Sequence, residues 1–568
     1  MLTIGGLHTS KNLVGIVLSG SSSDKVYIQL TEKGEEKVHE GMLLLIHGLR
    51  REYLIRVDNI YPRSTLYSPQ SPLVMAQKKG MALNIIDKMD NRYMIAEAVV
   101  LGQITDYGLR DVNYPPLPGD QVYLFDPEKD LKRVFGVELG ARGIVFIGSI
   151  LGYENMPLPL DIENITMHFG IYGVTGSGKS YFGGILLEKL SNIPVSNNVV
   201  AALPAIVVDA NGDYLDYYYE YVEEGYFGKY KKVSRMVFPT SKLIHEKYGP
   251  IYPSVEPIHI TLDEFNSREI AELIITYKMG GVSQTTELQI AGLTRALDHV
   301  LEENYSITEV LINENLLHGV LIESLKHLKE EKEIHPSTYN AIISAVKKFV
   351  SDLYKHYKIL STKPTINNER IDKIVNRPEL VIIDFTSEGA PGIPLIVKQL
   401  VIGYLAKALY NRFTYYKLRG EEKYLLLMIE EAQNYIPSKS YPIGSSIARE
   451  YLSLIATQGR KFGLCLGLIT QRASFVDPIV VSMLNTHFIF RMSPEDTSYV
   501  MKLSGGLPEA LKRRITRLSR GTAIVMGQMN KLGHPIIIET GRRTVSHRMG
   551  KTDLTGFLEK LAKSKQSK

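Results

Sequence analysis

The stretch that most constrains the fold of this chain is residues 173–180, which read Gly-Val-Thr-Gly-Ser-Gly-Lys-Ser. They match G-x-x-x-x-G-K-[ST], the pattern of a phosphate-binding loop that joins a strand to a helix. Residues 168–172 form a short apolar run, and residues 181–190 carry apolar side chains at helical spacing. Strand, glycine loop and helix are therefore predicted in the order that a nucleotide-binding α/β domain requires.

Each residue type in this loop has a physical task. Its glycines let backbone N–H groups curve around an anion, and the following helix N-terminus adds partial positive charge. Lys179 is expected to reach the β- and γ-phosphates, and the Ser180 hydroxyl to bind Mg²⁺. The residues expected to contact the nucleotide are Gly173, Thr175, Gly176, Ser177, Gly178, Lys179, Ser180 and Tyr181.

Hydrolysis also needs acidic groups, and residues 424–431 supply them. They read Tyr-Leu-Leu-Leu-Met-Ile-Glu-Glu, an apolar run ending in two carboxylates, which is typical of a strand buried on both faces. Glu430 is expected to support the Mg²⁺ shell, and Glu431 to polarise the attacking water. A strand that ends in a solvated acidic turn is the alternative.

Three further apolar runs end in polar residues and are predicted to belong to the same sheet. Asp209 and Asp384 end two of these runs, and Gln471 follows the third. Each aspartate is explained equally well as a functional group and as a cap of the turn that follows it. Gln471 is a candidate sensor of the γ-phosphate, and Arg472 beside it is expected to contact the nucleotide or a neighbouring subunit.

Five segments in order resemble the successive motifs of the HerA branch of the HerA/FtsK ATPases, a branch known in archaea. These segments are residues 168–180, 209–214, 430–437, 459–463 and 470–472. The resemblance implies a RecA-like core that uses ATP and Mg²⁺ in a homo-hexameric ring to move double-stranded DNA. It further implies a role in DNA end resection and double-strand break repair together with a NurA-type nuclease.

Carried over onto this sequence, the resemblance implies nucleotide-binding or catalytic roles for Lys179, Ser180, Asp209 and Glu431. It also implies that an arginine of the neighbouring subunit completes each nucleotide site. Arg460 is the first choice for that arginine and Arg472 the second, while a basic residue in an ordinary turn is the alternative. The sequence departs from the family at Gln433, where His is common, and at Asn211 and Asp213, where His and Glu are common.

Residues 1–150 have a different pattern, with short apolar runs broken by turns. This rhythm predicts a small β-barrel and a linker. The resemblance implies that the partner nuclease docks on this barrel. A nucleic-acid-binding barrel is the competing interpretation, but aromatic and basic residues are not concentrated in its strands as a stacking platform requires.

The remaining sequence predicts an interrupted core and a basic end. The ATPase core is expected at residues 151–262 and 363–545, on either side of a helical insertion at residues 263–362. A basic tail follows at residues 546–568. Residues 501–568 hold 15 Lys or Arg against 4 Asp or Glu, an excess of +11. Such an excess attracts phosphate backbones without reading sequence, although a solvated tail with arginines at subunit contacts fits equally well.

Two loops are candidate DNA contacts within a ring. Residues 277–284 read Tyr-Lys-Met-Gly-Gly-Val-Ser-Gln, and residues 438–446 follow the catalytic carboxylates. A mobile surface loop would have the same composition.

The composition favours a soluble, intracellular, multidomain protein, and the resemblance to DNA motors implies the cytoplasm, in association with the nucleoid. A chain of 568 residues is too long for one core, and its single Cys465 cannot form an intrachain disulfide. No apolar run approaches the length that spans a membrane. The predicted fold class is thus multidomain α/β, with an N-terminal small β-barrel, a RecA-like P-loop core with a helical insertion, and a basic C-terminal extension.

Two other functions fit the same residues. One is a motor for conjugation or genome packaging, although those branches usually begin without such a barrel. The other is a ring that acts as a nucleotide-gated scaffold for a partner effector, as in HerA-like antiviral systems. Intact Lys179 and Glu431 do not exclude the scaffold, because gating also needs hydrolysis.

Overall fold

The computed structural model describes residues 12–64, 67, 71–80, 92–106, 108–196, 198–245, 247, 249–279, 284–441, 447–503, 505–546 and 555–556. Most of the predicted basic tail lies outside the described residues. So do residues 280–283 and 442–446, the central parts of the two loops that were candidates for DNA contact.

The N-terminal region forms a closed barrel. Its elements are β1 (Leu13–Val17), β2 (Lys25–Leu30), α1 (Glu32–Lys37), β3 (Leu43–His47), β4 (Glu52–Ser64), α2 (Pro72–Lys78), β5 (Arg92–Thr105), β6 (Gly108–Arg110), β7 (Gln121–Tyr123) and α3 (Pro127–Phe135). The strands pair antiparallel in the order β2-β1-β7-β3-β4-β5, and β5 pairs again with β2. Six strands therefore close on themselves, which leaves no open edge apart from the short β5–β6 hairpin.

A short linking region connects the barrel to the rest of the chain. Its strands are β8 (Ile144–Ile147), β9 (Ser149–Ile150) and β10 (Leu158–Asp161). The barrel also packs directly on the core, since Met42 and Leu45 share a hydrophobic cluster with Phe169. The fully buried Arg56 adds a polar contact, because its guanidinium donates to the Pro535 carbonyl at 3.3 Å.

The first part of the core begins at the strand that precedes the phosphate loop. Its elements are β11 (Phe169–Tyr172), α4 (Lys179–Leu190), β12 (Ile193–Ser196), β13 (Val199–Ala201), β14 (Ala205–Asp209), α5 (Leu215–Glu224), β15 (Lys232–Val237), β16 (Ile244–His245), β17 (Gly249–Pro250) and β18 (Val255–Pro257). Strand β11 is one residue shorter than predicted, because His168 has a left-handed backbone, with φ of 64°.

The predicted insertion is helical. Its helices are α6 (Ser267–Met279), α7 (Gln284–Glu302), α8 (Ile307–Ile312), α9 (Glu314–Leu316), α10 (Glu323–Glu330) and α11 (Pro336–Val350), with π-helical turns at Leu317–Ile322 and Ser351–His356. Local sequence explains several of these ends. The Ser306 hydroxyl caps α8 by accepting from the Glu309 amide at 3.1 Å, and Pro336 occupies the first turn of α11.

The second part of the core completes the sheet. Its elements are α12 (Asn368–Asn376), β19 (Glu379–Asp384), α13 (Leu395–Leu418), β20 (Leu425–Ile429), α14 (Ile447–Gln458), β21 (Leu464–Thr470), α15 (Pro478–Met483), β22 (Thr486–Ile489), α16 (Pro494–Leu503), α17 (Glu509–Ile515), β23 (Thr522–Met526) and β24 (Ile536–Glu539). The 11-stranded sheet has the order β18-β15-β19-β14-β20-β21-β11-β22-β23-β24-β9. The eight strands from β18 to β22 in this order are parallel to one another. The last three strands, β23, β24 and β9, each pair antiparallel with the strand before them.

The core sheet is buried on both faces. Ile206 and Val208 of β14 belong to one hydrophobic cluster, whereas Val207 between them belongs to the other. This explains why the parallel strands read as unbroken apolar runs. The closed barrel, the α/β core and the helical insertion confirm the predicted fold class. Within the part of the chain that the structure describes, no helix is both long and apolar enough to cross a bilayer.

Candidate active site

The predicted site residues meet at the carboxyl edge of the core sheet. Strands β14, β20, β21 and β11 are consecutive neighbours and run parallel. Their ends therefore bring Asp209, Glu430, Gln471 and the phosphate loop to one edge, as the sequence predicted. Asp384 ends β19, the neighbour of β14, at the same edge.

The phosphate loop is tightly packed and needs its glycines. A Cβ atom on Gly173 would lie 2.5 Å from Ser177 Oγ and 2.7 Å from Phe490 Cβ. Gly178 directly precedes α4 and has a φ of 107°. Residues other than glycine rarely adopt this backbone conformation. The Gly521 amide donates to the Ser177 carbonyl at 3.0 Å, so the turn before β23 braces the loop from outside.

Ser180 and Glu430 form a pair of oxygen groups suited to a metal ion. The Ser180 hydroxyl lies close enough to the Glu430 carboxylate to lower its pKa, and the carboxylate accepts from Asn211 Nδ2 at 3.4 Å. Glu430 is buried, and its Oε1 has no hydrogen-bond partner among the described residues. A buried carboxylate oxygen left without a donor is suited to a hard cation, so these residues fit Mg²⁺.

The electrostatics at Glu430 favour a cation too. Burial raises the pKa of Glu430 well above its usual range, and the neighbouring Asp209 and Asp213 carboxylates raise it further. The Ser180 hydrogen bond and the charge of Lys179 act in the opposite direction. A divalent cation bound beside Glu430 would relieve this repulsion between negative charges.

The two aspartates that end strands have separate structural contacts. The Asp209 carboxylate accepts four backbone N–H groups of the following turn, from Asn211, Gly212, Asp213 and Tyr214 at 2.6–3.2 Å. Burial raises the pKa of Asp209 to about 7. Asp384 instead forms a fully buried ion pair with Arg235 at 2.6 Å. Both therefore shape the sheet edge, and a direct nucleotide contact from Asp209 stays a prediction.

Glu431 lies beside the phosphate loop and is connected to it. Its Oε1 accepts from Gln471 Nε2 at 2.5 Å, and Gln471 Oε1 accepts from the Thr175 hydroxyl at 2.5 Å. Three residues that the sequence singled out separately are thus joined in one hydrogen-bonded chain. Gln471 links the loop to the predicted water-polarising carboxylate, which is the position that a phosphate sensor requires.

The two candidate arginines occupy different places. Arg472 is held within its own chain by Asp496 at 3.1 Å and lies over the Phe475 ring at 4.5 Å. Arg460 is exposed on the turn that precedes β21. Because β21 is parallel to β11, this turn is at the sheet edge opposite the phosphate loop, so Arg460 lies away from the nucleotide site of its own chain, and its action on a neighbouring copy stays a prediction.

A C-terminal segment that the sequence did not single out also lines the site. We name residues 543–545 the C-terminal strap. Glu188 of α4 accepts from the Thr544 amide at 2.9 Å and the Val545 amide at 3.1 Å. The Arg543 amide donates to the Tyr181 hydroxyl at 2.8 Å, so Tyr181 is engaged by the strap. The available signal was Glu188 itself, an acid that directly follows the apolar run of residues 185–187.

Comparison with known proteins agrees with this geometry. Residues 145–409 match the family described as helicase HerA, central domain. The DNA double-strand break repair helicase HerA of Sulfurisphaera tokodaii is 24% identical over 524 residues, covering 89% of this chain and 91% of the relative. The protein of the same name from Pyrococcus furiosus is 24% identical over 485 residues, covering 78% and 77%.

Among solved structures, VirB4 of Thermoanaerobacter pseudethanolicus aligns with 71% of this chain and 97% of its own, at 15% identity. The TM-score is 0.45. The family match spans the phosphate loop, the turn after β14 and the insertion, while the relatives align along most of the chain. The chain therefore contains a HerA-type central domain, is similar to HerA helicases along most of its length, and is a P-loop enzyme that hydrolyses ATP.

Proposed function

We propose that this chain is an ATP-driven motor that moves double-stranded DNA through a ring of six copies. The position of Arg460 carries the proposal. It is exposed at the sheet edge opposite its own phosphate loop, so a nucleotide site that uses it must form between two copies. The names of the relatives, which are DNA double-strand break repair helicases, support DNA as the substrate.

The proposed reaction is hydrolysis of ATP by an attacking water. The loop amides and Lys179 hold the phosphates, and Ser180 with Glu430 would hold Mg²⁺, which neutralises charge on the β- and γ-oxygens. Glu431 orients the water and accepts its proton. Gln471, bonded to both Thr175 and Glu431, would report the presence of the γ-phosphate to the carboxylate.

We further propose that the barrel binds a NurA-type nuclease and that the pair resects DNA ends during double-strand break repair. The barrel is a closed sheet of its own beside the core sheet, which supports a docking role. Contacts with DNA would be to phosphates and hence independent of sequence. Resection of chromosomal DNA ends would take place in the cytoplasm, at the nucleoid.

The ATPase rate with and without linear duplex DNA tests the motor. We expect duplex DNA to stimulate the wild-type rate and Glu431→Gln to abolish the stimulated rate. A rate that ignores duplex DNA but rises with a barrel-binding effector would favour the nucleotide-gated scaffold. Stimulation by single-stranded DNA alone would favour a conjugation-type motor.

A further inference from the structure

Glu431 has two amide contacts, and the second comes from a residue to which the proposed reaction gives no role. Gln471 Nε2 donates to Oε1, and Gln433 Nε2 donates to Oε2 at 2.6 Å. Both oxygens of the carboxylate are thus held by neutral donors from different elements. Gln433 lies on the short 3₁₀ turn just after Glu431, whereas Gln471 directly follows the end of β21.

The orientation of the Gln433 amide is fixed by its neighbours. The Arg472 backbone N–H donates to Thr470 Oγ1 at 3.2 Å, and the Thr470 hydroxyl donates to Gln433 Oε1 at 2.6 Å. A backbone N–H can only donate, so the hydroxyl proton points away from Arg472 and toward the amide oxygen. Gln433 must then present its NH₂ group to Glu431.

The backbone at Glu431 makes such support necessary. Its φ and ψ are both 48°, in the left-handed region that few residues other than glycine adopt. This conformation turns the chain away from β20 and is retained only when surrounding contacts hold it. Gln433 and Thr470, both buried, form such a rigid support on the side facing away from Gln471.

We propose that Gln433 is a positioning residue that fixes the Glu431 carboxylate for water activation. The inference rests on the proposed role of Glu431. An amide suits this task because it restrains the carboxylate without neutralising it, whereas a cation at the same place would favour the charged form and weaken the base. Thr470 acts indirectly, because its hydroxyl holds the amide oxygen of Gln433 and so keeps the NH₂ group directed at Glu431.

The test is a set of ATPase measurements on full-length variants. Gln433→Met keeps the size of the side chain but removes the donor, and should lower kcat by about 10–100-fold through misplacement of the base. ATP affinity, measured by calorimetry, should stay within about 2-fold because the loop is untouched. Gln433→His supplies a ring N–H and should recover most of the lost kcat.

A double variant separates positioning from general damage. If Gln433 acts through Glu431, Gln433→Met should cause no further loss in single-turnover rate when Glu431 is already Gln. Thr470→Val keeps the shape of the side chain but removes the hydroxyl that contacts the Gln433 amide, and should give a smaller kcat loss with the same unchanged affinity. It serves as the second variant if Gln433→Met proves unstable in thermal melting.

Each outcome either supports or overturns the proposal. Wild-type kcat in both Gln433→Met and Thr470→Val overturns it, as does an equal loss in the Glu431→Gln background or a parallel fall in ATP affinity. A wild-type protein without ATPase activity, or a fully active Glu431→Gln, contradicts the proposed function instead. The two failures are therefore distinguishable.

Discussion

At the scale of single residues, the site depends on the directions of two consecutive side chains, Glu430 and Glu431. Glu430 points into the buried cluster with Ser180, while the left-handed backbone at Glu431 turns the next side chain toward Gln471. Adjacent residues of a strand point to opposite faces, and the turn begins where the strand stops. Metal support and water activation are therefore separate tasks of neighbouring residues.

Replacing Glu431 by Gln should remove catalysis and leave nucleotide binding intact. We expect kcat to fall at least about 100-fold, because a general base typically contributes 10²–10⁴-fold. ATP affinity should be unchanged, which calorimetry can measure. Glu422→Gln, an exposed acid just before β20, is the matched control and should behave as wild type. Full activity in Glu431→Gln would assign water activation elsewhere.

Arg460 should act only on a neighbouring copy. Arg460→Ala and Lys179→Ala should each be inactive alone, because one lacks the arginine and the other the lysine of every site. Mixing the two proteins should restore some ATPase activity, since some boundaries then pair an intact lysine with an intact arginine. Lys461→Ala, an exposed neighbour on the same turn, is the control. No recovery on mixing, with both single variants inactive and oligomeric, would contradict action between copies.

At the scale of elements, helix α4 joins the phosphate loop to the C-terminal strap. Its first residue is Lys179, and Glu188 in its last turns accepts the strap amides. Arg543 of the strap donates to the Asp213 carbonyl at 3.1 Å, in the turn capped by Asp209. The strap thus contacts both α4, which follows the phosphate loop, and the turn capped by Asp209. Loss of these contacts should therefore disturb the nucleotide site.

Glu188→Ala should loosen the strap. The change leaves the Thr544 and Val545 amides without their acceptor, which should cost about 1–3 kcal/mol of local stability. Hydrogen exchange of residues 543–545 should accelerate accordingly. Lys189→Ala, exposed on the same helix, should leave the exchange unchanged. Equal protection in Glu188→Ala and wild type would mean that other contacts hold the strap.

At the scale of the whole molecule, the long core sheet is sensitive to acid. Burial lowers the pKa of both His168 and His487 to about 4. His168 Nδ1 accepts from the Leu466 amide at 3.0 Å, so the neutral ring joins β11 to β21. Because the folded pKa of each histidine is below the ordinary value of about 6.5, its contribution to folding stability is fully present above pH 6.5 and is lost as pH falls toward 4.

His168→Asn should reduce this acid sensitivity. An Asn side-chain oxygen can accept the same amide and does not titrate. We expect the melting temperature of the wild type to fall more between pH 7 and 5 than that of the variant. The measurement is thermal melting at both values in the absence of nucleotide. Parallel falls would show that His168 does not contribute to the acid response.

The sequence by itself determined the loop, the order of the motifs and the fold class. Glycine spacing at residues 173–180 and the apolar runs ending at Glu430 and Gln471 have local physical meaning, because backbone curvature and burial on both faces leave a pattern in the chain. The barrel was predictable for the same reason, from short strands separated by turns.

Only the tertiary structure decided which polar groups meet. Gln433 and Gln471 are both glutamines near strand ends, yet their convergence on Glu431 depends on β20 and β21 being neighbours. Asp209 and Asp384 end adjacent strands with the same pattern, but one caps a turn and the other pairs with Arg235. The strap reaches Glu188 across more than 350 residues of sequence. Such contacts depend on long-range packing, which no local pattern records.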